Sequence, residues 1–207
     1  MTLSAAEVNQ LKQANTSENI LPAVQHRWSP RSFADKPVSD ADLKTIFEAV
    51  RWAPSSFNEQ PWRFLVGKQG SEAYAKILSA LVEFNQLWAG KAPVLIMGVA
   101  KTHFTHNNSH NGSALYDLGA AAGTLVLQAA ELGLVTHQMA GFDHGKMREA
   151  FGIPEEYHLG AVIALGYQGE PASLPNEHMR NQEVSPRTRK ERNEFVLSGW
   201  GEALHLG

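Results

Sequence analysis

Residues 92–100 read Ala-Pro-Val-Leu-Ile-Met-Gly-Val-Ala, nine positions without a polar side chain. A strand with one wet face alternates apolar and polar residues. A run without alternation needs cover on both faces, as a central strand has. A chain built around it must supply helices to two sides of a sheet. The run is among the longest apolar stretches present, and it is far too short to cross a bilayer.

The flanking sequence offers that cover. Ser4 with Glu7 forms a capping box opening a helix to about residue 14, polar enough to face solvent or a partner. Ser39 and Asp42 cap a second helix carrying Leu43, Ile46, Phe47 and Val50, which Pro54 stops. Trp62, Phe64 and Val66 alternate with Arg63 and Leu65, predicting a strand. Ser71 opens a helix with Tyr74, Ile77, Leu78, Leu81 and Val82 on one face. From 113 to 132, Leu115, Leu118, Ala122, Leu125, Ala129 and Leu132 recur in steps of three and four. Gly119, Ala120, Ala121 and Gly123 leave the other sides of this helix bare, so it is expected to be buried all round, in the core or against a second subunit. Gly133 closes it at C′. A loop at 137–142 precedes a short helix containing Met147 and Phe151, and 159–167 is a second buried strand. The tail from Pro186 is basic, then apolar, and its end should bury Trp200. Helices interleaved with three or four strands predict a layered α+β or α/β fold.

With 207 residues, 43% of them hydrophobic and 19% charged, the chain suffices for one domain (1–207) with a substantial core. A net charge of −3 argues against nucleic acid or an anionic membrane as partner. The absence of cysteine excludes disulfides, thiolate metal sites and cysteine nucleophiles. The first ten residues lack a basic start and an apolar stretch, so no signal peptide is read there and a cytoplasmic location is expected.

Two stretches carry the chemistry. Residues 27–33 read Arg-Trp-Ser-Pro-Arg-Ser-Phe, and 53–62 read Ala-Pro-Ser-Ser-Phe-Asn-Glu-Gln-Pro-Trp. Guanidinium forks grip phosphate, and amides and hydroxyls meet the edge of a planar ring. Taken singly, Arg27 and Arg31 are also an ordinary surface pair beside a turn proline, and the serines and Asn58 also serve a helix end. Asn85 alone reads as a C-cap. Arg187 and Arg189 alone read as a solvated face.

Arg-x-Ser-x-Arg followed by Pro-Ser-Ser-x-Asn-x-Gln-Pro-Trp, one capped helix apart, resembles the FMN-dependent nitroreductase family. The resemblance runs from Arg27 to about Val196 in five separated blocks. It implies an α+β three-layer sandwich, with a mostly antiparallel central sheet flanked by helices, intertwined as a homodimer with FMN at the interface. It assigns Arg27 to a phosphate, with Ser29 and with Trp28 through its backbone or by packing. Arg31 is placed near the flavin pyrimidine. Pro54, Ser55, Ser56 and Asn58, with Gln60, form a loop reaching the FMN of the other subunit, and Asn85 meets the pyrimidine edge. Gln138, Met139, Ala140 and Gly141 run along the flavin, a backbone N–H there facing N5 and Gly141 permitting close approach. Arg187 and Arg189, in a segment 186–207 that closes the phosphate site and the dimer, complete the anion site. Where some members have a cation, this chain has Trp88, which leaves Arg31 the main positive charge near N1. Where a common version of the fourth block ends Glu-Gly, this one ends Ala140-Gly141.

The implied reaction is ping-pong: NADPH or NADH reduces FMN at N5, and a nitroaromatic, quinone or related acceptor collects the electrons. Reductive dehalogenation, enoate reduction, dehydrogenation of azolines, a non-catalytic FMN store or another phosphorylated ligand remain as alternatives. His103, His106 and His110 share a helical spacing, but 101–111 holds no carboxylate and is expected to be a lid, so no metal is assigned. His137 and His144 flank the N5 segment as candidates to face substrate.

Overall fold

The computed structural model describes residues 3–206; the leader reading falls partly on residues 1 and 2, outside that range. Its helices are α1 (Ala5–Leu11), α2 (Pro22–His26), α3 (Asp40–Arg51), α4 (Glu72–Ala80), α5 (Glu83–Ala89), α6 (Ala114–Glu131), α7 (His144–Phe151) and α8 (Glu177–Val184). Its strands are β1 (Trp62–Lys68), β2 (Val94–Lys101), β3 (Val135–Met139), β4 (Tyr157–Gly166), β5 (Leu197–Gly199) and β6 (Glu202–Ala203). The main sheet has the order β1-β2-β4-β3 with every pairing antiparallel, which settles the class as α+β.

The apolar run becomes the strand its composition demands. Along β2, Val94, Ile96 and Ala100 face one way and join Ile46, Val50, Leu118 and Leu125 of α3 and α6. Leu95, Met97 and Val99 face the other way and meet Tyr74, Ile77, Trp88, Met147 and Met179 from α4, α5, α7 and α8. Period-two alternation thus feeds two cores on opposite faces of one sheet.

Local signals set the helix starts. Ser4 and Glu7 form the expected capping box, and the Ser39 and Ser71 side chains accept from the N–H groups of Asp42 and Tyr74. Gly133 and Gly152 adopt left-handed conformations after α6 and α7. Several expectations change. α1 ends at Leu11 rather than near residue 14. Val82 leaves the α4 face: that helix stops at Ala80, and Val82, 46% exposed, precedes α5. Residues 137–139 are strand rather than loop, because their backbone pairs with 162–164 of β4. Trp200 is fully exposed, since β5 and β6 pair only with each other. Segment 101–111 is not a helix; it doubles back with His103 bridged to His110.

Candidate functional site

The chain leaves α2 at an extended Arg27, bends at Arg31 and reaches Phe33, which forms a bridge with Gln168. Arg187 crosses from beyond α8 and donates to the carbonyls of Arg27 (2.6 Å) and Gln25 (3.1 Å). Arg27, Arg187 and Arg189 therefore gather. Burial, then Arg189, holds the Arg27 guanidinium below the ordinary arginine range, and burial, then Arg27 and Arg189, does the same to Arg187. Among the described residues, none of the three makes an ion pair with a carboxylate. Three crowded cations without a carboxylate partner are a candidate anion site, since an anion there would relieve their mutual repulsion.

Trp28 lines the same cavity as Arg27. It is buried, its Nε1 donates to Asn9 (2.9 Å), and the Lys12 ammonium lies over its ring. Its part is packing, while Ser29 is exposed at the surface of the same loop.

Arg31 points along the loop's other side, its guanidinium 5.9 Å from the Phe84 ring and 6.0 Å from Trp88. Its Nε is buried without a partner, as is Nε1 of Trp88. A buried N–H left unpaired costs free energy, so a ligand oxygen supplying an acceptor here would be favoured. His137 packs on Trp88 at 4.5 Å between ring centroids, and its Nδ1 lies 3.0 Å from the Pro30 carbonyl. A carbonyl only accepts, so Nδ1 carries the proton. Burial pushes this imidazole down to about 4, with the Arg31 charge acting in the same sense. His137 is thus a support beneath the loop, whereas His144 stacks on Phe142.

Asn85 lies in the first turn of α5, not at a C-cap. Its Nδ2 donates to the Gly141 carbonyl (3.1 Å), which also accepts from Val82 N–H (3.0 Å). A Cβ on Gly141 would meet Asn85 Nδ2 at 2.8 Å and Val82 Cγ2 at 3.0 Å, so a side chain here would displace Asn85 from the Gly141 carbonyl. The N–H groups of Ala140 and Gly141 donate to no protein acceptor among the described residues. Met139 is buried in the core, so only its backbone is available, while Gln138, one step along β3, is exposed. Two groups thus form, Arg27 with Arg187 and Arg189, and Arg31 with Phe84, Asn85 and Gly141, joined by the loop 27–31.

The second block, Pro54 to Gln60, lies elsewhere. Pro54 is exposed, Ser55 Oγ accepts from Gln60 N–H (3.0 Å), and Ser56 N–H donates to the buried Asp117 carboxylate (3.1 Å). Phe57, Asn58 and Gln60 all take left-handed φ values of 50–53°, strained for side-chain-bearing residues. Asp117 sits in the first turn of α6, whereas Arg27 shares a cavity of about 300 Å³ with Val126, Ala130 and Gly133 at that helix's other end. The thirteen steps from residue 117 to residue 130 span about 20 Å of helix axis. Within one chain, the Ser-Ser-x-Asn loop and the arginines do not meet. The loop is tied instead to 101–111, through Thr105 on Glu59 and through Phe57 against Phe104 at 5.6 Å. Among the described residues no three His, Cys, Asp or Glu side chains are placed to hold a metal, and no helix is long and apolar enough to cross a membrane.

The model of the nitroreductase family matches residues 24–167. The chain belongs to the nitroreductase family. A protein from Stenotrophomonas maltophilia, provisionally named an NADH dehydrogenase/NAD(P)H nitroreductase, is 32% identical over 190 residues, 83% of this chain and 90% of its own. A Streptomyces coelicolor protein with the same provisional name is 29% identical over 162 residues, 69% of this chain and 80% of its own. The solved structure of an oxidoreductase containing FMN matches with a TM-score of 0.84 at 32% identity, covering 89% of this chain and 94% of the other. A Desulfovibrio desulfuricans family structure in complex with FMN, at 24% identity, shares the fold with a TM-score of 0.70, covering 89% of this chain and 98% of the other. In this nitroreductase-family chain Glu183, Lys12, Asp117 and His137 also hold the candidate loops in shape. Asp117 carried a signal, an acid in an otherwise apolar helix; Glu183 lies in a helix too polar to mark a buried face.

Proposed function

We propose that this protein is a cytoplasmic, homodimeric FMN oxidoreductase that spends NAD(P)H on nitroaromatic, quinone or related electrophilic acceptors. The observation carrying this is the uncompensated cluster of Arg27, Arg187 and Arg189 beside the unpaired Nε of Arg31, in a chain whose relatives bear NAD(P)H nitroreductase names. Phosphate and pyrimidine oxygens answer both needs, so the residues present fit FMN. Bound there, FMN supplies the two-electron chemistry, accepting hydride from NAD(P)H and yielding electrons to the acceptor.

The chain's own residues then have separable tasks. Arg27, Arg187 and Arg189 bind the phosphate with Ser29, and residues 186–207 close that end of the single domain. Arg31 offers positive charge where the reduced ring gathers negative charge. Asn85 orients the 138–141 segment by holding the Gly141 carbonyl, which leaves the Ala140 and Gly141 N–H groups to donate at N5. Pro54, Ser55, Ser56, Asn58 and Gln60, about 20 Å from the arginines along α6, complete the site of a second copy. The 101–111 segment, pinned to that loop, shapes the acceptor side and excludes water.

The test is the absorption spectrum of the purified protein before and after anaerobic NADPH or NADH. A flavin spectrum that bleaches is expected. Bound flavin that ignores both reductants would move the case to another flavin reaction or to storage, and a colourless protein that cannot be reconstituted with FMN would refute the reading.

A further inference from the structure

Glu183 is the most deeply buried carboxylate near the site, 1% exposed on α8, and none of the tasks above uses it. Both its oxygens lie 3.0 Å from the backbone N of Arg31. Oε1 also accepts from Ser32 N–H (2.9 Å) and Ser32 Oγ (2.7 Å). A buried carboxylate holding three donors on two consecutive residues fixes that backbone far more firmly than neutral bonds would. The helix bearing it is anchored in turn: the ammonium of Lys12, just past α1, donates to the Gln182 and Ser185 carbonyls at the end of α8.

We propose that Glu183 is the positioning residue of the cofactor loop, setting the direction in which Arg31 projects and thereby the hold on FMN. The inference rests on the FMN reading. A carboxylate suits the position because it presents acceptors only; an amide would turn an NH₂ toward the N–H of Arg31 or Ser32 and leave donors facing donors.

The test follows FMN release on dilution of the full-length protein, read as recovered flavin fluorescence, in wild type, Glu183→Gln, Arg31→Ala and the double variant. Glu183→Gln should raise the FMN dissociation constant about tenfold or more. In the Arg31→Ala background the same change should cost no more than about twofold, because the two act as one unit. A merely structural carboxylate would give additive losses, and additive losses overturn the proposal. Glu170→Gln, which loosens only the contact with the Ala5 N–H, should release FMN as wild type does. If Glu183→Gln does not fold, Ser32→Ala removes one donor to the same carboxylate and should weaken FMN about threefold with the same dependence on Arg31; no change there is equally fatal. Wild-type protein that never takes up FMN overturns the functional reading and this inference with it. A Glu183→Gln variant holding FMN as tightly as wild type overturns the inference alone.

Discussion

His137 is held neutral between Trp88 and the Pro30 carbonyl, its pKa pushed down to about 4 by burial. In the unfolded chain the imidazole titrates near its ordinary value, about 6.5. Between those two values the unfolded chain binds a proton that the folded one refuses, so stability is fully present above the upper value and falls as pH drops through the window. The loss should approach about 3 kcal/mol at the acid end. The melting temperature should therefore drop more steeply between pH 7 and 4.5 in wild type than in His137→Gln; parallel curves would contradict the assignment. A second residue-scale prediction concerns the anion site. Arg27→Ala with Arg189→Ala should strip FMN and leave the fold, since two charged hydrogen bonds are worth about 3–6 kcal/mol together. Flavin content after gel filtration measures this, and a fully loaded double variant would sink the phosphate assignment.

Among the elements, α6 shows where sequence reading succeeds and where one chain is not enough. Its apolar steps placed Leu118, Leu125 and Ala129 in the core. Yet Leu115 and Tyr116 are exposed, and a Cβ on Gly119 or Gly123 would meet nothing within 4 Å. The all-round burial expected of this helix is thus unmet by its own chain, on the stripe where small residues invite close approach. Gly123→Leu should leave the far-UV circular dichroism unchanged but shift the sedimenting species from dimer to monomer, with flavin lost. A loaded dimeric variant would count against α6 as the contact. Elsewhere, capping serines marked α1, α3 and α4 because their signals are local. α5 escaped notice because Val82 caps it with no side-chain bond and its seven residues show no clear period. α8 has a capping Asn176, but too little apolar pattern to draw attention. The left-handed turns at Phe57, Asn58 and Gln60 were illegible, since no glycine announces them. In the site, the arginines and the 138–141 segment were readable as motifs. Glu183 and Asp117, which hold the two loops in shape, were set by folding across the chain, and neither was picked out beforehand.

For the whole molecule, the arginines and the Ser-Ser-x-Asn loop lie at opposite ends of α6, and this has a stoichiometric outcome if two copies share their sites. A variant lacking Arg27 and Arg189 and another lacking Ser55 and Asn58 should each bind little FMN. Mixed in equal amounts and allowed to exchange subunits, they should recover about one quarter of the wild-type sites, because half the dimers are mixed and each holds one intact site. No recovery would mean that each site is built from one chain. The five tryptophans offer a separate gauge of the same event. Trp28, Trp62 and Trp88 are buried, while Trp52 and Trp200 are exposed, the latter completely, at the tip of the β5–β6 hairpin. In a lone chain, iodide should quench two indoles and leave three dark to it. If association covers the hairpin, Trp200 passes to the protected set and its emission moves to the blue, so the chain carries its own optical reporter of assembly.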